Sequence, residues 1–309
     1  MSALVTGGAG FIGRHLVAEL LATGQAVRVM DDLSRARPGS LDEFIPNPGF
    51  LGLVNDDVAT PGVLERAATG MDVIFHLAAS VAVGASVQDP AAAIRTNVLG
   101  TLAVLEAARN AGLRVVVAST CHVYAPASDP LDEEATTGPL SPYAASKLAA
   151  DVLGASYQQA YGVRLTIVRP FNTYGPWQRD DLEGGVVARF MQAELAGEPL
   201  QVYGDGAQTR DFVFVTDCAR GIALAASAPA TGLVLNLATG VETSIARLAY
   251  LIARRSDVAF VPHPHPNAEV PRYVGAALRA RAVLGWAPQV DLAEGLRRTR
   301  AWFARLPEA

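Results

Sequence analysis

Tyr143 and Lys147 stand four residues apart, which places two side chains on one face of a helix, one turn from each other. A free tyrosine has a pKa of about 10 and is a poor base at neutral pH. A neighbouring ammonium favours the phenolate and makes proton removal from an alcohol feasible. The pair is common by chance at this spacing. Its meaning comes from what precedes it in the chain.

The run Thr6-Gly7-Gly8-Ala9-Gly10-Phe11-Ile12-Gly13 lies between a short apolar strand and a helix. Gly7, Gly10 and Gly13 permit a tight turn with close helix–strand packing, so that N–H groups at the helix start can face a pyrophosphate. An acid at the end of the next strand, Asp31, follows Gly13 by 18 residues. A carboxylate there accepts both hydroxyls of an adenosine ribose and repels a 2′-phosphate, which favours NAD over NADP. A nicotinamide cation supplies a second positive charge for the phenolate. Lowering a tyrosine pKa by about 3 units takes roughly 4 kcal/mol, a size that one lysine and one cofactor charge can supply in a dry cleft.

The strand Arg114–Ser119 ends in Ser119-Thr120-Cys121-His122-Val123-Tyr124. Ligands of open parallel sheets bind at the carboxyl ends of strands, so Thr120 is placed to hydrogen-bond a substrate hydroxyl. Cys121 and His122 both titrate, and a histidine suits acid–base work near neutral pH. Packing beside the strand end is the alternative reading for this pair.

The elements that carry these residues alternate. Strands are expected at Ser2–Thr6, Ala26–Met30, Gly49–Val54, Asp72–Leu77, Arg114–Ser119 and Arg164–Val168. Helices are expected at Phe11–Thr23, Pro61–Ala68, Pro90–Ala111 and Pro142–Tyr161. Continuous Val/Ile/Leu strands predict an α/β fold, a Rossmann-type doubly wound parallel sheet with a smaller C-terminal substrate-binding lobe. The dinucleotide domain spans 1–168, with returning elements at about 211–239. The smaller lobe takes 169–210 and 240–309. Val213–Val215 and Leu233–Leu237 read as strands around the helix Asp217–Ser227, and Thr243–Arg255, Ala276–Leu284 and Leu292–Arg305 as helices. The run Pro262–Pro266 reads as a loop. Its two histidines are too few ligands for a metal site, and no metal is expected.

The 309 residues can bury about three quarters of the unfolded surface. A net charge of −5 without a basic block gives no long-range attraction to nucleic acid or an anionic membrane. No apolar run reaches the roughly 20 residues of a bilayer span, and Met1 runs directly into a strand rather than a signal peptide. Cys121 and Cys218 are expected as reduced buried thiols of a cytoplasmic protein.

Taken together the chain resembles the extended short-chain dehydrogenase/reductases, specifically the nucleotide-sugar epimerase/dehydratase group. The marks are Thr6–Gly13, His76-Leu77-Ala78-Ala79, Asn97, Ser119-Thr120, Tyr143-Ala144-Ala145-Ser146-Lys147, Arg169-Pro170-Phe171-Asn172, Gly204-Asp205-Gly206 and Arg210-Asp211-Phe212. The resemblance implies that Phe11 and Ile12 offer N–H groups to the pyrophosphate and that Asp57 and Val58 border the adenine. It implies that Ala79 and Asn97 line the cofactor path, that Lys147 also holds the nicotinamide ribose, and that Phe171 approaches the nicotinamide. Asn172, Arg210 and Arg272 would contact a nucleotide diphosphate, and Ser86 the substrate.

Members of the group begin alike: Tyr143 would take a proton from a sugar hydroxyl while hydride passes to NAD. Dehydratases of the group carry an Asp-Glu pair after the threonine, and a related decarboxylase carries Glu at the second position. This chain has Cys121-His122 there. The segment Ala82–Pro90 is similar to the corresponding stretch of UDP-galactose 4-epimerases. The expectation is therefore an NAD-dependent NDP-sugar 4-epimerase. A dehydratase or decarboxylase using Cys121 and His122 is the alternative, and a non-catalytic NAD-binding regulator a third. Ala125 departs from the glycine that the group commonly has after Val-Tyr. Relatives dimerise through the two long helices, here Pro90–Ala111 and Pro142–Tyr161, the second carrying Ala149, Leu153 and Ala160 outward.

Overall fold

Runs such as Ala3-Leu4-Val5 and Val115-Val116-Val117 have no polar face, so they need cover on both sides. The computed structural model describes residues 1–179, 185–263 and 270–306, and in it these runs are central strands with no more than 1% exposure. The chain runs β1 (Ser2–Thr6), α1 (Phe11–Ala22), β2 (Ala26–Asp31), β3 (Phe50–Asn55), α2 (Val63–Ala67), β4 (Val73–His76), α3 (Val83–Gln88), α4 (Pro90–Ile94), α5 (Gly100–Ala111), β5 (Arg114–Ala118), α6 (Pro142–Tyr161) and β6 (Arg164–Pro170). It continues with β7 (Asn172–Tyr174), α7 (Val186–Ala196), β8 (Leu200–Tyr203), β9 (Thr209–Phe214), α8 (Val215–Leu224), β10 (Val234–Leu237), β11 (Glu242–Ser244), α9 (Ile245–Ile252), β12 (Val258–Val261), β13 (Arg272–Tyr273), α10 (Leu278–Leu284) and α11 (Leu292–Phe303).

The main sheet has seven parallel strands in the order β10-β6-β5-β4-β1-β2-β3. Chain order reverses between β1 and β4, and a crevice opens beyond the strand ends at such a switch point. This is the expected Rossmann-type architecture. Of the segment 211–239 expected to return to the main sheet, β10 does so, beside β6. The stretch Val213–Val215 does not: Val213 and Phe214 end β9, which pairs with β7, β11 and β13 in a separate small sheet, and Val215 begins α8. The helix between them, α8, packs on α1.

Local chemistry explains the helix ends. Ser141 accepts a hydrogen bond from Ala144 N at 3.2 Å to cap α6, Pro142 fills its first turn, and Gly162 closes it at φ +67°. The expected long helix at Pro90–Ala111 contains a π-turn at Arg95–Leu99 between α4 and α5. By length and mean hydropathy that stretch resembles a membrane span. Val104, Leu105, Ala107 and Ala108 are nevertheless buried against the sheet, as in a core helix. The helix expected from Thr243 begins at Ile245 instead, because Thr243 pairs with Arg210 in β11 and Ser244 becomes the cap. Cys121 and Cys218 are free and buried. His263 is described, Pro264–Pro266 lie outside the described residues, and no metal-binding cluster occurs among the described residues.

Candidate active site

A cleft of about 960 Å³ runs along the carboxyl ends of the main strands to residues of α7, β8 and β9, at the upper end of the size of ligand pockets. Gly7, Gly10, Phe11, Ile12 and Gly13 line one end. The α1 N-terminus has no side-chain cap and no acid in its first turn. Its N–H groups and the positive end of its dipole are thus available to an anion. The glycines are required by contact. A Cβ on Gly13 would lie 2.0 Å from Gly7 O, and one on Gly7, at φ +69°, would lie 2.6 Å from Ala78 N. Asp31 closes the turn from below: its carboxylate accepts Ala9 N at 2.9 Å and Leu33 N at 2.8 Å. Burial pushes this carboxyl up from its usual range, opposed by those N–H groups. Asp57 and Val58 line the same end, Asp57 accepting Ala59 N at 2.8 Å and pairing with Arg95. A cradle that any side chain would fill, an uncapped helix start and an acid at the end of β2 fit NAD.

Tyr143 and Lys147 face the cleft from the first turns of α6, 8% and 3% exposed. Burial lowers the Lys147 pKa to about 8, with Asp151 opposing the shift. A directed hydrogen-bond chain ties their helix to the glycine turn. Thr101 Oγ1 donates its one hydrogen to Asn97 O at 2.6 Å. His76 Nε2 must then donate to Thr101, at 3.1 Å, and His76 Nδ1 must accept from Thr6 Oγ1, at 2.8 Å. Burial, reinforced by Lys147, keeps this imidazole neutral with a pKa of about 3. Asn97 continues the chain, donating to Ser146 Oγ at 2.8 Å, which donates to Tyr143 O at 2.8 Å.

Three of the expected site residues are not among those lining the cleft. Asn97 is 1% exposed. Its amide grips Ser80 N and Ser80 O at 2.8 and 3.1 Å, and Ser80 lines the cleft beside Ala79. Ser86 donates to Val83 O at 2.7 Å and accepts Tyr143 N at 3.0 Å, holding the start of α6. Arg272 is engaged by Glu242, at 3.1 Å from both Nε and Nη2, and by Ser128 O at 2.6 Å, and is not among the residues lining the cleft.

Phe171, Asn172, Thr120 and Arg210 do line it. Asn172 Oδ1 is buried without a hydrogen-bond partner among the described residues. Arg210 donates to Thr209 O and Val270 O, both at 2.8 Å, and stacks on Tyr273. Arg189, Gln201, Tyr203 and His263 also line the cleft in the smaller lobe, with Arg189 donating to Tyr203 Oη at 3.1 Å. Sequence reading did not single out Arg189, Gln201 or Tyr203, which come from separate elements with no shared motif, and read His263 only as part of a loop. Thr120 Oγ1 accepts His122 N at 3.3 Å, which fixes the turn after β5. Ala125, unusual in that turn, is accommodated because Gly138 faces it without a side chain.

The Cys121/His122 pair is poorly suited to acid–base work. Burial raises the Cys121 thiol to about 12 and lowers His122 to about 4, with Arg210 adding to the latter. His122 packs its ring on Tyr273, centroids 5.0 Å apart. Among the described residues lining the cleft, the carboxylates are Asp31, Asp32, Asp56 and Asp57, all at the ends of β2 and β3 rather than beside Thr120.

Known proteins place this geometry. Residues 3–238 match the model of the NAD dependent epimerase/dehydratase family. The chain is 42% identical to a UDP-glucose 4-epimerase of Mycolicibacterium smegmatis, over 98% of each chain. It is 34% identical to a UDP-glucuronic acid decarboxylase of Danio rerio, over 98% of this chain and 72% of the relative. A dTDP-glucose 4,6-dehydratase of Streptomyces venezuelae, solved with NAD bound, superposes with a TM-score of 0.91 at 35% identity, over 98% and 97% of the two chains. In each case the similarity covers nearly the whole of this chain. The chain therefore belongs to the NAD dependent epimerase/dehydratase family and is an NAD-dependent enzyme of nucleotide sugars.

Proposed function

We propose that the protein is a UDP-sugar 4-epimerase. The observation that carries this reading is the absence of any carboxylate near Thr120 among the described residues lining the cleft, next to a thiol and an imidazole both held in their neutral forms. Elimination of water needs a second acid and base there, whereas epimerisation needs one group that removes and returns a proton. Thr120 holds the sugar hydroxyl and Tyr143 takes its proton. Lys147 stabilises the phenolate and holds the nicotinamide ribose. NAD, when bound, supplies the hydride acceptor and donor. Once the keto sugar has turned over, its carbonyl carbon would present the opposite face to the returning hydride, and Tyr143 would return the proton to the C4 oxygen. Val81, Ala82, Val83, Gly84 and Ala85 line one wall, and their small side chains leave room for that turn. Asn172 and Arg210 receive the diphosphate, a planar fork matching phosphate oxygens. The same reading places the enzyme in the cytoplasm as a homodimer through α4–α5 and α6. Ala149, Val152 and Leu153 line an apolar groove on that face, and Val152 is 63% exposed.

The test is incubation with NAD and a panel of UDP-, dTDP-, GDP- and CDP-sugars, followed by mass spectrometry and chromatography. A UDP-sugar product of unchanged mass is expected. Loss of water or carbon dioxide overturns the reading. The same panel run with His122→Ala separates it from elimination. A working acid–base group contributes about 10²–10⁴-fold, so an epimerase keeps its rate within about tenfold in this variant.

A further inference from the structure

Asp151 is one turn beyond Lys147 on α6 and only 4% exposed. A carboxylate this deep in a protein needs partners. One oxygen has them: Asp151 Oδ2 accepts Ser119 Oγ at 2.9 Å, Arg169 Nε at 3.1 Å and Arg169 Nη2 at 3.0 Å. The other, Oδ1, is buried with no hydrogen-bond partner among the described residues. Arg169 stacks on the Tyr124 ring at 4.8 Å, and Tyr124 Oη is fixed by Asn236 at 2.8 Å. The guanidinium is thus clamped on one side of the carboxylate. Arg169 and Asp151 together form an oriented dipole.

We propose that Asp151 is a positioning residue of the catalytic centre, whose carboxylate, clamped by Ser119 and Arg169, keeps the buried Lys147 side chain charged. This deepens the Tyr143–Lys147 reading and rests on it. The other titratable and charged groups around Lys147 do not supply the negative charge. His76 from β4 is neutral, Cys121 after β5 is held as the thiol, Arg169 from β6 is a cation, and Tyr143 on α6 is the group to be activated. Burial alone drives the Lys147 pKa down, and Asp151 is the one group that opposes it. The sign follows. Removing the carboxylate lowers the Lys147 pKa, so the ammonium is lost at a lower pH, and the alkaline limb of kcat moves to lower pH with it.

Lys147 is the only lysine among the 309 residues. Protein grown with lysine isotope-labelled at Cε therefore gives a single side-chain signal, titrated by NMR in full-length protein without substrate. In the wild type that signal should titrate above neutral pH. In Asp151→Asn it should titrate at least about 1 unit lower, with the alkaline limb of kcat shifted likewise, and Asp151→Glu should restore both. A merely structural role for Asp151 would lower stability and leave both titrations in place. Unchanged Lys147 titration in a folded Asp151→Asn variant overturns the proposal. Wild-type titration below neutrality overturns it too, and needs no variant to fold. Because the NMR titration involves no sugar, its failure is distinguishable from failure of the epimerase reading.

Discussion

Tyr143→Phe should lower kcat by about 10³–10⁴-fold while leaving NAD affinity and the melting temperature nearly unchanged. The substitution deletes one oxygen and keeps the ring. Tyr143 is 8% exposed, and its backbone N is bonded to Ser86 and its backbone O to Ser146. Those bonds survive in phenylalanine. The proton acceptor does not, and no other group can replace it: His122 has its ring centroid 6.2 Å from that of Tyr143 and is a weak base with a pKa of about 4, and Cys121 is held at about 12. Steady-state kinetics with calorimetric NAD titration separates the two effects. Normal turnover in the variant would remove the phenol from the mechanism.

Gly13→Ala should weaken NAD binding by about 10²-fold, the scale on which a misplacement of about 1 Å is felt in a preorganised site. The added Cβ would lie 2.0 Å from Gly7 O and 2.8 Å from Gly8 Cα. Both are backbone atoms of the turn itself, so no flexible side chain can yield. The first turn of α1 has to move off β1, taking with it the N–H groups of Phe11 and Ile12. Overpacking of this kind also destabilises a fold by about 1–3 kcal/mol, so the melting temperature should fall. Gly10→Ala provides the graded comparison. Its Cβ would meet the same oxygen at 3.3 Å, a strain that a shift of a few tenths of an ångström relieves. Equal NAD affinity in Gly13→Ala and wild type would contradict this account of the cradle.

Much of this was legible before the fold was seen. Continuous apolar strands, each closed by a glycine turn or helix, read directly as a parallel sheet. The glycine turn, Asp31 and the Tyr143–Lys147 spacing are local patterns whose geometry is set by one loop or one helix. What stayed hidden depended on long-range pairing. Arg272 meets Glu242 only because β13 and β11 flank β9 on opposite edges. Ser86 became a support for α6 because α3 packs on that helix. The π-turn that places Asn97 between Ser80 and Ser146 leaves no periodicity signal, since its flanks are ordinary helix. The burial of Asp151 depends on Ser119 after β5 and Arg169 on β6, which meet its carboxylate only in the folded sheet.

The most direct test of the central claim, that Tyr143 and bound NAD oxidise and re-reduce one sugar carbon, follows a UDP-sugar carrying deuterium at C4. The account predicts that the epimerised product keeps the deuterium at C4 with inverted configuration and that none exchanges with solvent. Deuterium washed into water, or inversion at C4 with the label found on another carbon, would contradict it.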